Sequence, residues 1–179
     1  NCLNLMQTVQ TTVGASKAQF TYGSDGRKLS EKAKTGGFEY LGSLIYAYRG
    51  GTLSLAQAVT DEGTIQSAGV NYFIRDHLGS VRAVVDHTGK IVERNDYYPF
   101  GGRHENSALS LSATNRYKFG GKETLEPVSL DMLDFGARFY DPRIARWNTQ
   151  DPLAEKYFSL SPYNYCAGNP ITLVDPTGM

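Results

Sequence analysis

The 179-residue chain has no net charge, with 18 basic side chains matched by 18 acidic ones. A neutral chain presents no electrostatic footprint for nucleic acid or an anionic membrane, so both are set aside as partners. No window approaches the 18 apolar residues a membrane-spanning helix requires. The start carries no basic, apolar, small-residue signal, and Asn1 is not an initiator, so a processed or excised piece is expected. Cysteine is scarce. Cys2 and Cys166 lie at opposite ends without CxxC spacing, form no constellation with His77, His87 and His104, and read as plain thiols. Neither a metal nor a cofactor is expected. In abundance instead are 19 glycines and 12 tyrosines. Glycine supplies turns and tyrosine fills half-buried strand faces, so the composition points to many short strands.

Residues 1–19 are polar with scattered β-branched residues and read as a leader or frayed segment. From Phe20 a strand-turn grammar begins. Phe20–Tyr22 alternates, Ser24-Asp25-Gly26 turns, and Arg27-Lys28-Leu29 resumes a strand, which is a hairpin signal. Phe38–Tyr46 repeats the pattern around Gly42, and Asp61-Glu62-Gly63 forms another acidic turn. The clearest instance is YFIRDHLGSVRAVVDHTGKIVERNDYYPFG, Tyr72–Gly101. Here Asp76-His77-Leu78-Gly79 and Asp86-His87-Thr88-Gly89 recur ten residues apart. Each Asp is suited to cap its turn through the side chain, and each Gly to take positive φ three residues on. Ser80–Val85 between them has the length of one strand. Such repeats imply a stacked or coiled sheet in which each unit buries a face on its neighbours. His77 and His87 occupy equivalent turn positions and read as exposed turn residues, since no third metal ligand accompanies them.

Residues 103–115 read as a surface loop or short helix. Tyr117–Glu123 reads as a strand ending in a Gly-Gly turn, and Asp134–Tyr140 as a strand leading into Asp141-Pro142. Leu153–Tyr165 is the best helix candidate, with Leu153, Tyr157 and Leu160 on one face and Pro162 interrupting. Trp147, Tyr157, Tyr163 and Tyr165 are expected in the core. Ile171–Val174 reads as a short apolar strand. Three Asp-Pro pairs punctuate the last stretch, at Asp141, Asp151 and Asp175, each joining a carboxylate to a rigid turn-former. The chain stops at Met179, just after a Thr-Gly turn, and a self-made cut is the expectation there.

These residues carry a family likeness. DHLGSVRAVVDHTGKIVERNDYYPFG resembles the YD-repeat pattern of Rhs (rearrangement hot spot) proteins. GARFYDPRIARWNTQDPLAEKYFSLSPYNYCAGNPITLVDPTGM resembles their repeat-associated core domain, which ends in D-P-x-G-[LM]. Together the motifs cover roughly residues 70–179. The chain departs from the pattern at Ala145, where glycine is usual, and at Ser161 and Gly168, where asparagine is usual.

The resemblance implies an all-β fold with minor helix. A YD-repeat sheet over 20–102 would form part of a β-cocoon, and a core plug over 103–179 would carry a short helix near 153–161. It further implies the carboxy-terminal shell of a polymorphic toxin, related to insecticidal toxin complexes and enclosing a toxin that follows the core. By the same resemblance the core cuts its own chain after Met179, in the motif Asp175-Pro176-Thr177-Gly178-Met179, by an aspartyl-protease-like mechanism. Asp151 matches the family's essential aspartate and Arg138 the arginine associated with cleavage. Asp175 is the favoured second carboxylate and Asp141 the alternative. The partners implied are the rest of the shell and the enclosed toxin, delivered outside a bacterial cell by a secretion system, with no nucleic acid and no membrane insertion. Because a segment of this length leaves sheet edges open, further YD-repeat polypeptide is expected beside it. A structural or adhesive YD-repeat module without catalysis is the alternative.

Overall fold

The computed structural model describes residues 5–10, 16–34, 36–104, 115–125 and 130–179. The chain divides into two compact units. The first comprises Asn1–Tyr72, Asp86–Lys90 and Pro127–Ser129, and the second Phe73–Val85, Ile91–Glu126 and Leu130–Met179. The fold is nearly all antiparallel β, as its alternating sequence implies.

The first unit is a meander of β1 (Thr8–Gln10), β2 (Ser16–Tyr22), β3 (Lys28–Ala33), β4 (Gly36–Leu41), β5 (Leu44–Arg49), β6 (Thr52–Thr60), β7 (Gly63–Gln66) and the start of β8 (Gly69–Arg75). Each strand pairs antiparallel with the next. The strand β1 lies within the stretch expected to be a frayed leader, because its backbone finds a partner in β2. Register follows the period-2 pattern, since a one-residue slip would exchange the two faces. Phe20, Glu31, Phe38 and Ala47 are successive cross-strand neighbours on one face. Glu31 is fully buried there, accepting from the Tyr40 hydroxyl at 3.1 Å, with the Lys28 ammonium at 3.8 Å. The opposite face carries cross-strand Tyr48 and Leu53, both exposed.

The second unit contains most of β9 (Val81–Asp86), then β10 (Ile91–Arg94) and a four-stranded sheet in chain order. That sheet consists of β11 (Glu123–Leu125), β12 (Leu130–Asp134), β13 (Phe139–Asp141) and β14 (Arg146–Trp147). Its core is aromatic: Phe119, Phe135, Tyr140, Trp147 and Tyr165 pack with Leu133. Phe135 meets Trp147 edge-on at 5.0 Å, and Tyr140 lies 4.3 Å from Tyr165. Tyr140 keeps its polar end satisfied by donating to the Phe100 carbonyl at 2.8 Å, as a buried phenol must. Burial pushes the Tyr140 and Tyr165 hydroxyls above their ordinary pKa.

The repeated turns form as their residues dictate. The Asp76 carboxylate accepts the N–H groups of Leu78 and Ser80, and Asp86 those of Thr88 and Lys90. Gly79 and Gly89 take φ of 81° and 87°, a region glycine enters without steric cost.

Several local expectations give way. The helix near 153–161 is a single 3₁₀ turn, Ala154–Lys156, because residues 155–161 are all exposed and no apolar face packs to stabilise a longer one. Tyr157 is accordingly 55% exposed and lies outside the core, whereas Trp147 and Tyr165 are buried. Asp134–Tyr140 is two strands, since Gly136 at φ 95° reverses the chain between β12 and β13. Ile171–Val174 forms no strand and is exposed. The loop expected over 103–115 falls mostly outside the described residues.

Candidate functional site

Arg138 is the centre of the site. It lies between Gly136 and β13, is 2% exposed, and stacks its guanidinium 4.2 Å from the centre of the Trp147 ring. Desolvation pulls its pKa below the ordinary value, while Asp151 and Asp175 push it back up. A buried charge requires partners on every side. Arg138 Nη2 donates to Asp151 Oδ2 at 3.0 Å and stands 3.8 Å from Asp175 Oδ2. Its Nη1 donates to the Pro162 carbonyl at 3.2 Å, and its Nε to the Gly178 carbonyl at 2.6 Å.

Asp151 is placed by the chain around it. Its N–H donates to the Pro162 carbonyl, and its Oδ1 accepts the Leu153 N–H at 2.7 Å, two residues on. Asp175 organises the terminal turn, its Oδ1 accepting the N–H groups of Thr177 at 3.0 Å and Gly178 at 2.6 Å. Gly178 has φ of 78°, and a Cβ there would approach Phe135 Cβ to 3.0 Å and the Arg138 nitrogen to 3.1 Å. Only glycine fits that approach.

Three of the residues singled out in the sequence therefore meet: Arg138, Asp151 and Asp175. Met179 joins them in lining a cavity of about 260 Å³, together with Asn164 and Cys166. Asp141 stands apart from this cluster. Its carboxylate is taken by Arg143, with contacts of 2.7 and 3.0 Å to the guanidinium and 2.9 Å to the backbone N–H. That arrangement is a capped turn, and the Arg143 hydrogen bond holds the Asp141 carboxyl below its ordinary pKa.

Sequence reasoning missed four contributors to this neighbourhood. The Pro162 carbonyl joins Arg138 to Asp151. Lys122 donates to the Pro176 carbonyl at 2.6 Å. Asn164 Oδ1 is buried without a hydrogen-bond partner among the described residues. Cys166 is a free thiol whose pKa burial raises, and it sits in a run of left-handed backbone with Ala167 and Gly168 at φ of 47°, 51° and 78°. The signal for Lys122 was present in Lys118-Phe119-Gly120-Gly121-Lys122, but only as a turn.

His77 donates through Nε2 to the Ile171 carbonyl at 3.0 Å. Among the described residues no group of three or more His, Cys, Asp or Glu side chains is disposed to hold a metal ion.

A β-meander with Asp-x-x-Gly turns after β8 and β9, followed by a small sheet whose buried Arg138 holds an Asp-Pro-x-Gly segment, defines a strand-turn repeat protein. The Teneurin YD-shell family model matches residues 62–165, and the chain belongs to that YD-repeat family. It is 37% identical over 103 residues to Salivary gland surface protein 1 of Aedes aegypti, a match covering 58% of this chain and 3% of that protein. It is 31% identical over 112 residues to Toxin subunit YenC1 of Yersinia entomophaga, covering 62% of this chain and 11% of the relative. The crystal structure of TcdB2-TccC3-Cdc42 superposes over 100% of this chain and 10% of its own with a TM-score of 0.78, at 21% identity. The chain thus spans only a small part of the length of the proteins it matches.

Proposed function

We propose that the chain is the carboxy-terminal segment of a toxin-enclosing shell and that it cuts its own backbone after Met179. The observation that carries this reading is Arg138. One buried guanidinium reaches Asp151 and Asp175 and also holds the Gly178 carbonyl, so the candidate catalytic groups are assembled on the motif that precedes the bond to be cut. Substrate and catalyst share one chain, and such an intramolecular arrangement can lower a barrier by roughly 7–11 kcal/mol through orientation alone.

In the proposed reaction Asp151 takes a proton from water as the water oxygen attacks the Met179 carbonyl carbon. Asp175 gives a proton to the carbonyl oxygen, and Arg138 offsets the negative charge around them. The tetrahedral species then collapses. The C–N bond breaks, the leaving nitrogen takes the proton held by Asp151, and the carbonyl oxygen returns its proton to Asp175. The net change is one water consumed, one carboxyl and one amine formed. The enclosed toxin would be the segment released, retained by the rest of the shell and delivered outside a bacterial cell. The similarity to a toxin subunit supports this assignment.

A purely structural or adhesive shell module is the second reading, favoured by the similarity to a salivary gland surface protein. One experiment separates the two. The full shell, continued past Met179 into a reporter domain, should yield a fragment whose intact mass ends at Met179, and Asp151→Asn should keep the reporter attached. An uncut wild-type chain would leave only the structural reading.

A further inference from the structure

The terminal segment is held through its backbone. Three successive carbonyls have donors: Pro176 accepts from Lys122 Nζ at 2.6 Å, Thr177 from the Ala137 N–H at 3.1 Å, and Gly178 from Arg138 Nε at 2.6 Å. The Thr177 and Gly178 N–H groups are folded onto Asp175. Side-chain packing contributes little, since Ile171, Leu173, Val174 and Met179 are all about half exposed. With so little apolar burial, the position of this segment depends on the polar grips.

Of the two cationic grips, only Arg138 belongs to the cluster of carboxylates. Lys122 comes from a separate element, the residue that closes the Phe119–Gly121 turn. Its Nζ lies 5.0 Å from the centre of the Phe135 ring. Phe135 in turn approaches Gly178 through its Cβ, so one side chain meets both Lys122 and the end of the gripped stretch. The ammonium is half-buried, and burial lowers its pKa while Asp175 and Asp134 counter that.

We propose that Lys122 is a positioning residue that sets the register of the Asp175–Met179 segment by holding the Pro176 carbonyl, three residues before the bond to be cut. The proposal rests on the self-cleavage reading. Without Lys122 the segment keeps the Arg138 anchor at Gly178 and the Ala137 N–H at Thr177 but loses its hold at Pro176, ahead of both. A segment held only over its last two carbonyls can tilt about them and misplace the following carbonyl, and a displacement near 1 Å can cost about 100-fold in rate.

The test uses the full shell continued past Met179, with single-turnover cleavage followed by mass spectrometry and thermal melting followed in parallel. Lys122→Met and Lys122→Gln should slow cleavage at least tenfold with melting unchanged, and Lys122→Arg, which keeps a cationic donor, should restore the rate to within about threefold of wild type. In the uncut Asp151→Asn background, Lys122→Met should speed amide exchange at Thr177 and Gly178, a change that loss of general stability would spread over β12 and β13 as well. Cleavage of Lys122→Met at the wild-type rate, or failure of arginine to rescue, overturns the role of Lys122 while leaving self-cleavage intact. A wild-type chain that is never cut overturns the cleavage reading, and the role of Lys122 in it. That outcome is distinct because the reporter remains attached in every variant.

Discussion

The meander of the first unit and the terminal segment of the second are both short pieces of chain joined at glycines, but different forces hold them. In the meander each strand is fixed by the strand beside it, and the side chain facing away is free to be apolar or polar without consequence. Leu41 is 68% exposed there. In the terminal segment the backbone has no ladder. Its carbonyls are held by Arg138 and Lys122, and its turn is closed by Asp175. The meander distributes its stability over many similar pairings, whereas the terminal segment concentrates it in a few buried polar groups. Failure of one group should therefore be felt very differently in the two places.

The largest expected effect is at Arg138. Arg138→Met removes the cation beside Asp151 and Asp175 and leaves the largely buried Asp151 carboxylate without its partner. The loss should be about 3–5 kcal/mol by denaturant unfolding. Leu41→Ser in the meander, made alongside it, should shift stability by no more than about 0.5 kcal/mol. A loss at Arg138 below about 1 kcal/mol would break the contrast between the two regions.

A smaller effect of opposite sign is expected at Ala145, where φ is 57°. The usual family residue there is glycine, and alanine in the left-handed region carries strain that glycine avoids. Ala145→Gly should raise stability by about 1 kcal/mol, read as a higher denaturation midpoint.

The smallest effect belongs to Asp141. Its folded-state pKa lies below the ordinary 3.8 because of the Arg143 contact. A depressed carboxyl contributes stability above its unfolded-state pKa and loses it as pH falls through the folded value. Asp141→Asn should therefore cost about 0.5 kcal/mol at pH 7, since Arg143 is largely exposed and screened. The difference from wild type should vanish as the pH drops below the ordinary carboxyl range. A larger cost at neutral pH would place Asp141 in a more demanding role than a capped turn.

The turns after β8 and β9 were legible because their determinants are local. Asp76 and Asp86 each reach backbone N–H groups two and four residues on, so a ten-residue recurrence in the sequence becomes two equivalent turns in space. The helix near 153–161 was misread because its spacing suggested an apolar face that nothing packs against, and tertiary contact decides whether such a face forms a helix. The short strand expected over Ile171–Val174 failed for a related reason: apolar residues alone do not make a strand without a neighbouring edge to pair with.

Of the candidate site, the sequence singled out Arg138, Asp151 and Asp175, but only as members of a linear motif. That they converge is a tertiary fact, since Arg138 is 13 residues from Asp151 and 40 from Gly178 along the chain. The same holds for Lys122, 54 residues from the carbonyl it grips and unremarked in the sequence. By itself the sequence determined the β class and the repeated Asp-x-x-Gly turns, because each depends on neighbours a few residues away. The tertiary structure decided which of the three Asp-Pro carboxylates face the terminal segment. A buried guanidinium needs partners wherever the fold delivers them, and no local rule states where that will be.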